Sequence, residues 1–221
     1  DTDRSRGLGD VYKRQPLTGM DDLLAAIEGF AAPWKGQFEG CAVSMPGRID
    51  TKRGIAHTGG ILSGFMWEQP FAALLEQQLG VPVTIANDGK CAAAAEAWTG
   101  SLAGVDNGLV LVLGTGIGGG IILNGKVYMG SHSAAGEVSN LVTELGSMEG
   151  DDFRFDVIGK VAESPVWAGK ASASGLIAAY AAEKQLPAHG PQPTGEEIFA
   201  AYAAGEPEAC RALKKFARRV A

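Results

Sequence analysis

Residues 113–121, LGTGIGGGI, place five glycines in seven consecutive positions, in a chain where 32 of 221 residues are glycine. That overall share is about twice the roughly 7% of an average protein. Glycine reaches positive φ at no steric cost and leaves amide N–H groups uncovered. A run of this kind therefore predicts a tightly turning backbone that offers consecutive donors to an anion. Thr115 adds a hydroxyl. Gly114, Gly116 and Gly119 also satisfy G-x-G-x-x-G, with Glu137 eighteen residues beyond Gly119, so a dinucleotide turn competes. That turn must open a helix, whereas GIILNGKVY (120–128) alternates like a strand pair, with Asn124-Gly125 suited to a type I′ turn. No Gly-Lys-Ser/Thr follows, which excludes a Walker loop. A phosphate clamp between two strands is the expectation; a glycine-rich hairpin bend without a ligand is the plain alternative.

The rest of the chain is mixed α/β. Helical spacing runs over 21–30, 70–79 and 91–98, with Pro70 at a first helical position and Gly80 as a C-cap. GCAVS (40–44) and VPVTIA (81–86) read as strands, and helices return at 174–186, 196–204 and 208–221. The order predicts α/β layers with a mostly parallel sheet. SLAGVDN (101–107) supplies the breakers of a domain boundary, giving an amino-terminal α/β domain over 16–103 and a carboxyl-terminal one over 104–221. The first fifteen residues, DTDRSRGLGDVYKRQ, lack either periodicity and read as an adaptor-derived fusion scar, or else as a disordered basic arm. The last helix, with Ala209, Leu213, Phe216 and Val220 on one side, runs off the end without a cap, so both ends read as cut.

With 25 acidic against 19 basic residues and a net charge of −6, bulk charge attracts neither nucleic acid nor anionic lipid. No apolar run approaches the roughly 18 residues that span a bilayer, so no membrane partner is expected. Cys41, Cys91 and Cys210 are scattered, which rules out a disulfide framework and a C-x-x-C knuckle. A cytoplasmic location follows as the expectation.

Asn87 and Asp88 stand where an apolar strand stops and an alanine-rich helix starts. Such residues cap helices. They also stand at a strand's carboxyl end, where ligands gather in open α/β sheets. There a carboxylate can take the proton of a substrate hydroxyl while the amide binds a neighbouring one. Glu137 sits in a glycine-flanked loop, AAGEVSN (134–140), and reads equally as a solvated acid. His57, His132 and His189 have no metal-type spacing and read as surface or loop residues. Glu96 reads as solvated, and the isolated tryptophans as core or interface packing.

Taken in order, VSMPGRID (43–50), IANDGKCAAAAEAW (85–98), LVLGTGIGGGIILNGKVYMG (111–130), AAGEVSNL (134–141) and ASASGL (171–176) resemble the ROK family of repressors, open reading frames and sugar kinases. The likeness covers about residues 17–221 and rests on the order and separation of the stretches. It implies an actin-like, ribonuclease H-like fold of two α/β domains closing over a cleft where a sugar, ATP and Mg²⁺ meet. By position, Asp88 resembles the base that takes the sugar proton, while Asn87 and Glu137 resemble sugar ligands. Gly114, Thr115, Gly116, Gly118 and Gly119 resemble the second phosphate-binding segment. Homodimers are implied too.

Departures narrow the resemblance. Many members read G-E-x-G-H followed by a zinc-binding cysteine cluster. Here the histidine position is Asn140, a further sugar-binding candidate, and the cysteines are missing, so no zinc is expected. Zinc-free relatives include kinases of β-glucosides and other hexoses, with a tryptophan comparable to Trp167. The D-x-G-G-T of the first phosphate segment and the adenosine-contacting glycine stretch are not in this chain. The expectation is an ATP-dependent hexose or β-glucoside kinase, represented here by a fragment with poor or no activity. A sugar-sensing repressor of the same family is the alternative.

Overall fold

A computed structural model describes residues 18–58, 62–143, 166–187 and 190–221. The expected fusion scar and His189 lie outside them. The chain forms two compact units, one up to Asn87 and one from Asp88 onward.

In the first unit, helix α1 (Met20–Ala31) precedes strand β1 (Cys41–Met45), and a short antiparallel pair, β2 (Ile49–Asp50) with β3 (Ile55–Ala56), follows. Helix α2 (Phe71–Leu79) leads to β4 (Val83–Asn87), which pairs parallel with β1 so that Met45 lies opposite Asn87. Pro70 stands one residue outside α2, at its N-cap, and Gly80 closes the helix at φ 73°, the left-handed cap that favours glycine. Alternation decides which β4 residues go inside: Val83, Ile85 and Asn87 are buried, Thr84 is exposed. Val83 and Ile85 join Met45, Ile49, Met66, Phe71 and Leu75 in the core, against which Leu23, Leu24 and Ile27 of α1 pack.

The second unit opens with α3 (Asp88–Thr99), which packs on an antiparallel sheet in the order β5 (Gly108–Leu113), β6 (Ile117–Leu123), β7 (Lys126–Tyr128). Asn124 and Gly125 connect β6 to β7 with φ of 52° and 72°, both positive as a type I′ turn demands. Helices α4 (Trp167–Lys170), α5 (Ala173–Glu183), α6 (Gly195–Ala203) and α7 (Pro207–Val220) follow among the described residues. Ser172 caps α5 by accepting from Gly175 N, and Thr194 with Glu197 forms a full capping box on α6. Leu176, Tyr180, Ile198, Ala209 and Ala212 make the helical core, with Leu213 and Phe216 packed against it.

Three expectations need correction. Among the described residues only β1 and β4 are parallel; the other strands there are antiparallel. Trp34, Trp67 and Trp98 are exposed, Trp98 by 85%, so the core reading holds for Trp167 alone, which donates from Nε1 to the Arg219 carbonyl. Glu96 is not a bystander, since its Oε2 accepts from Ser101 N at 2.7 Å beyond the end of α3. On β5, Leu109, Leu111 and Leu113 share one face and are exposed, as is Val112 on the other, and among the described residues β5 pairs only with β6.

The glycines of β6 meet α3 with no side chain between. A Cβ on Gly120 would lie 2.4 Å from the Ala93 Cβ, and one on Gly89 would lie 2.6 Å from Gly119 N. At Gly116, in the β5–β6 turn, a Cβ would meet nothing within 4 Å. Gly120→Ala is expected to lower the unfolding free energy by about 1–3 kcal/mol through overpacking. Gly116→Ala should change it by less than about 0.5 kcal/mol, both read by urea unfolding.

Ion pairs join α5 to α7. The guanidinium of Arg211 and the ammonium of Lys215 bond Glu183 and hold it below the usual carboxylate range. The Tyr180 hydroxyl and then Lys184 do the same for Glu206. A depressed folded value means stability that is present above the ordinary 4.5 and lost as pH falls below it. Urea unfolding at stepped pH is expected to show that fall, and the pair of changes Glu183→Gln and Glu206→Gln to flatten it.

Candidate functional site

Strand β4 ends on Asn87 because its inward face has run out of apolar residues, and the buried amide needs a partner. It finds one in the first unit: Nδ2 donates to the Gly47 carbonyl at 3.0 Å, tying the strand end to the turn that follows β1. Asn87 is 4% exposed.

Asp88 begins α3 and is exposed. Its Oδ1 accepts from the Gly89 amide at 2.8 Å. A carboxylate at a helix amino terminus is stabilised by the uncompensated N–H groups there. This contact with the adjacent amide fixes one oxygen of a potential base.

The same first turn of α3 carries Lys90, which the sequence reading passed over. Its side chain is 3% exposed, and its Nζ sits 2.6 Å from Oε1 of Glu137, whose own side chain is 27% exposed. The loop acid is therefore bound to a buried ammonium instead of solvated. A lone lysine in DGKCAAAAEAW, a helix otherwise short of long side chains, was the available signal: its tail reaches where alanines leave room. Asn140 ends a 3-10 turn (Val138–Asn140) just after Glu137 and is exposed.

The glycine segment divides into two parts. Gly114, Thr115 and Gly116 form the turn, with Gly114 N donating to the Gly116 carbonyl at 3.0 Å and Ala173 N donating to the Gly114 carbonyl at 2.8 Å. A Cβ at Gly114 or Gly116 would meet open space, and Thr115 is exposed. Gly118, Gly119 and Gly120 instead belong to β6, opposite Val112, Leu111 and Val110 of β5. None of these five glycines has a positive φ, which corrects the expectation of a left-handed nest. What they supply is close approach. A Cβ on Gly119 would fall 2.6 Å from the Gly136 carbonyl oxygen, and Gly136 itself takes φ 80°. The loop that carries Glu137 is thereby pressed onto the same strand that receives the start of α3.

A strand, not a helix, follows the G-x-G-x-x-G match, so the dinucleotide reading fails on geometry. His57 pairs with Glu68 at 2.9 Å, and His132 is exposed. Among the described residues no three His, Cys, Asp or Glu side chains gather as a metal site, and no helix there is long and apolar enough to cross a membrane.

The second unit thus brings together an exposed carboxylate, a paired loop acid and an open glycine turn on one strand–helix framework. A family model described as the ROK family matches residues 3–221. The chain belongs to the ROK family. The match takes in most of the amino-terminal stretch as well as the motif-bearing remainder. A β-glucoside kinase of Listeria innocua is 33% identical over 89% of this chain and 62% of its own length. One from Listeria monocytogenes is 37% identical over 61% of this chain and 46% of its own. Among solved structures, a candidate N-acetylmannosamine kinase from Listeria monocytogenes superimposes with TM-score 0.74 at 32% identity, covering 92% of this chain and 65% of that one. This ROK chain has the α/β, actin-like ATPase fold of such proteins, and it spans about half to two thirds of the length of these relatives.

The ion pair makes an asymmetric prediction. Glu137→Ala takes the carboxylate from a buried ammonium and is expected to cost about 2–4 kcal/mol of stability. Lys90→Met removes the buried charge, fills its volume and leaves a part-exposed acid to rehydrate, so it should cost under about 1.5 kcal/mol. Urea unfolding of the two variants compares them directly.

Proposed function

We propose that the protein is an ATP-dependent sugar kinase acting on a hexose or β-glucoside, with Asp88 as general base. The observation that carries this reading is the shared framework of Asp88, the Lys90–Glu137 pair and the Gly114–Gly116 turn, all set by the side-chain-free contact of α3, β6 and the loop before Glu137. The names of the β-glucoside kinases support the substrate class.

In this reading a sugar hydroxyl attacks the γ-phosphorus of ATP. The new O–P bond forms as the bond to the β–γ bridging oxygen breaks, ADP departs, and the hydroxyl proton passes to Asp88. Phosphoryl transfer asks little covalent chemistry of the protein beyond alignment, a base and charge compensation. The Gly89 amide holds Oδ1, which orients the carboxylate. Glu137, Asn87 and Asn140 bind sugar hydroxyls; Asn87 does so from a side chain already braced on Gly47. Gly114, Thr115 and Gly116 receive phosphate, because open space above both glycines admits a bulky anion. Gly118 and Gly119 act by letting β6, which leads out of that turn, lie close to the start of α3. Mg²⁺ bound to the nucleotide would neutralise phosphate charge. No zinc is proposed.

The test is a coupled phosphorylation assay of the full-length protein over a panel of hexoses and β-glucosides. Asp88→Asn should lower kcat by about 10²–10⁴-fold while sugar affinity stays within about threefold, the range of lost proton transfer without lost binding. Near-unchanged turnover in Asp88→Asn would remove it as the base, and absence of ATP-dependent phosphorylation across the panel would overturn the kinase reading.

A further inference from the structure

Lys90 has no role in the chemistry just described, yet it is the one lysine buried in the core of its unit among the described residues. An ammonium is costly to bury, and a structural need at this position would be met by an aliphatic side chain of similar length. Its ammonium lies 2.6 Å from one named oxygen, Oε1 of Glu137, across a contact 47 residues apart in sequence. Both ends of that contact are fixed by backbone packing: α3 through Gly89 against Gly119, and the loop through Gly136 against Gly119 and Gly120.

We propose that Lys90 is a positioning residue for sugar recognition, acting through Glu137. This rests on the kinase reading above. The ammonium engages Oε1 and so fixes the rotation of the carboxylate, leaving Oε2, which has no protein hydrogen bond among the described residues, as the oxygen that accepts from a sugar hydroxyl. A carboxylate held at one oxygen offers a single directed acceptor, whereas an unheld one rotates and offers two. The pair also carries no net charge, so a neutral sugar displaces less ordered water than it would from an isolated acid. The function assigned to Lys90 is therefore selectivity for the position of a hydroxyl, separate from phosphoryl transfer at Asp88.

The experiment measures steady-state kinetics of the full-length protein with Lys90→Met, Lys90→Arg, Glu137→Gln and the double variant Lys90→Met/Glu137→Gln. Lys90→Met is expected to raise the sugar KM about 10- to 100-fold, the value of one misdirected hydrogen bond to a charged group. It should leave the ATP KM unchanged and kcat within about threefold, as expected when ground-state and transition-state binding are lost together. Lys90→Arg keeps the charge and should recover part of the sugar KM. The double variant should match Glu137→Gln alone, since Lys90 works through that side chain. An unchanged sugar KM in Lys90→Met, or additive effects in the double variant, would overturn the proposal. If the wild type phosphorylates nothing, the kinase reading fails by itself. The side-chain carboxyl ¹³C resonance of Glu137, assigned with Glu137→Gln, then decides the positioning claim. A resonance that moves in Lys90→Met sustains it, and one that stays in place overturns it.

Discussion

The second unit depends on a seam where backbone touches backbone. Gly89 at the start of α3, Gly119 and Gly120 on β6, and Gly136 before the acidic loop approach so closely that a single added carbon on any of them would fall 2.4–3.0 Å from a neighbouring atom. Three elements converge there, and each delivers one piece of the site: α3 brings Asp88 and Lys90, the loop brings Glu137, and β6 continues back to the Gly114–Gly116 turn. Side chains in such a seam would separate the pieces by several ångströms, and the phosphoryl transfer proposed above depends on their alignment. The seam also explains why α3 is built of glycine and alanine: Ala93 is fully buried beneath Gly120.

Against that background the buried ion pair gains its meaning. A helix of small residues packed this tightly has little room for long side chains, and the one that enters is charged. Its carboxylate partner is anchored by Gly136 in a left-handed conformation, directly before Glu137. The backbone fixes where the acid stands, and the lysine fixes how it is turned.

Much of this was legible in the sequence. Alternation in VPVTIA, the Asn124-Gly125 dipeptide and Gly80 report local backbone preferences, and those preferences survived folding. The glycine run was legible as a feature but not in its physics. Glycine permits both positive φ and close approach, and composition alone does not say which is used; the partner surfaces Gly89, Ala93 and Gly136 lie 16–31 residues away in the chain. Lys90 was missed for a related reason, since burial of a charged residue becomes visible only when its partner, far off in sequence, is in place. The parallel arrangement was overestimated because helix–strand alternation in the first half says nothing about the hairpins of the second. Of the two readings given for the tryptophans, core packing fits Trp167 alone, because large apolar side chains are assigned inward by default while three of the four here face water.

Strand β5 carries a separate implication. GLVLVL has no charged or proline residue within it, and four of its side chains stand open to solvent beside an edge that β6 leaves uncovered among the described residues. Natural sheets blunt such borders with lysines, bulges or covering loops, because bare main-chain donors and acceptors recruit whatever extended peptide comes near. The hexapeptide also meets the compositional criteria for stacking into fibrils. A lysine in place of Leu109 or Leu111 would put on this border the charge with which natural edge strands turn away such pairing.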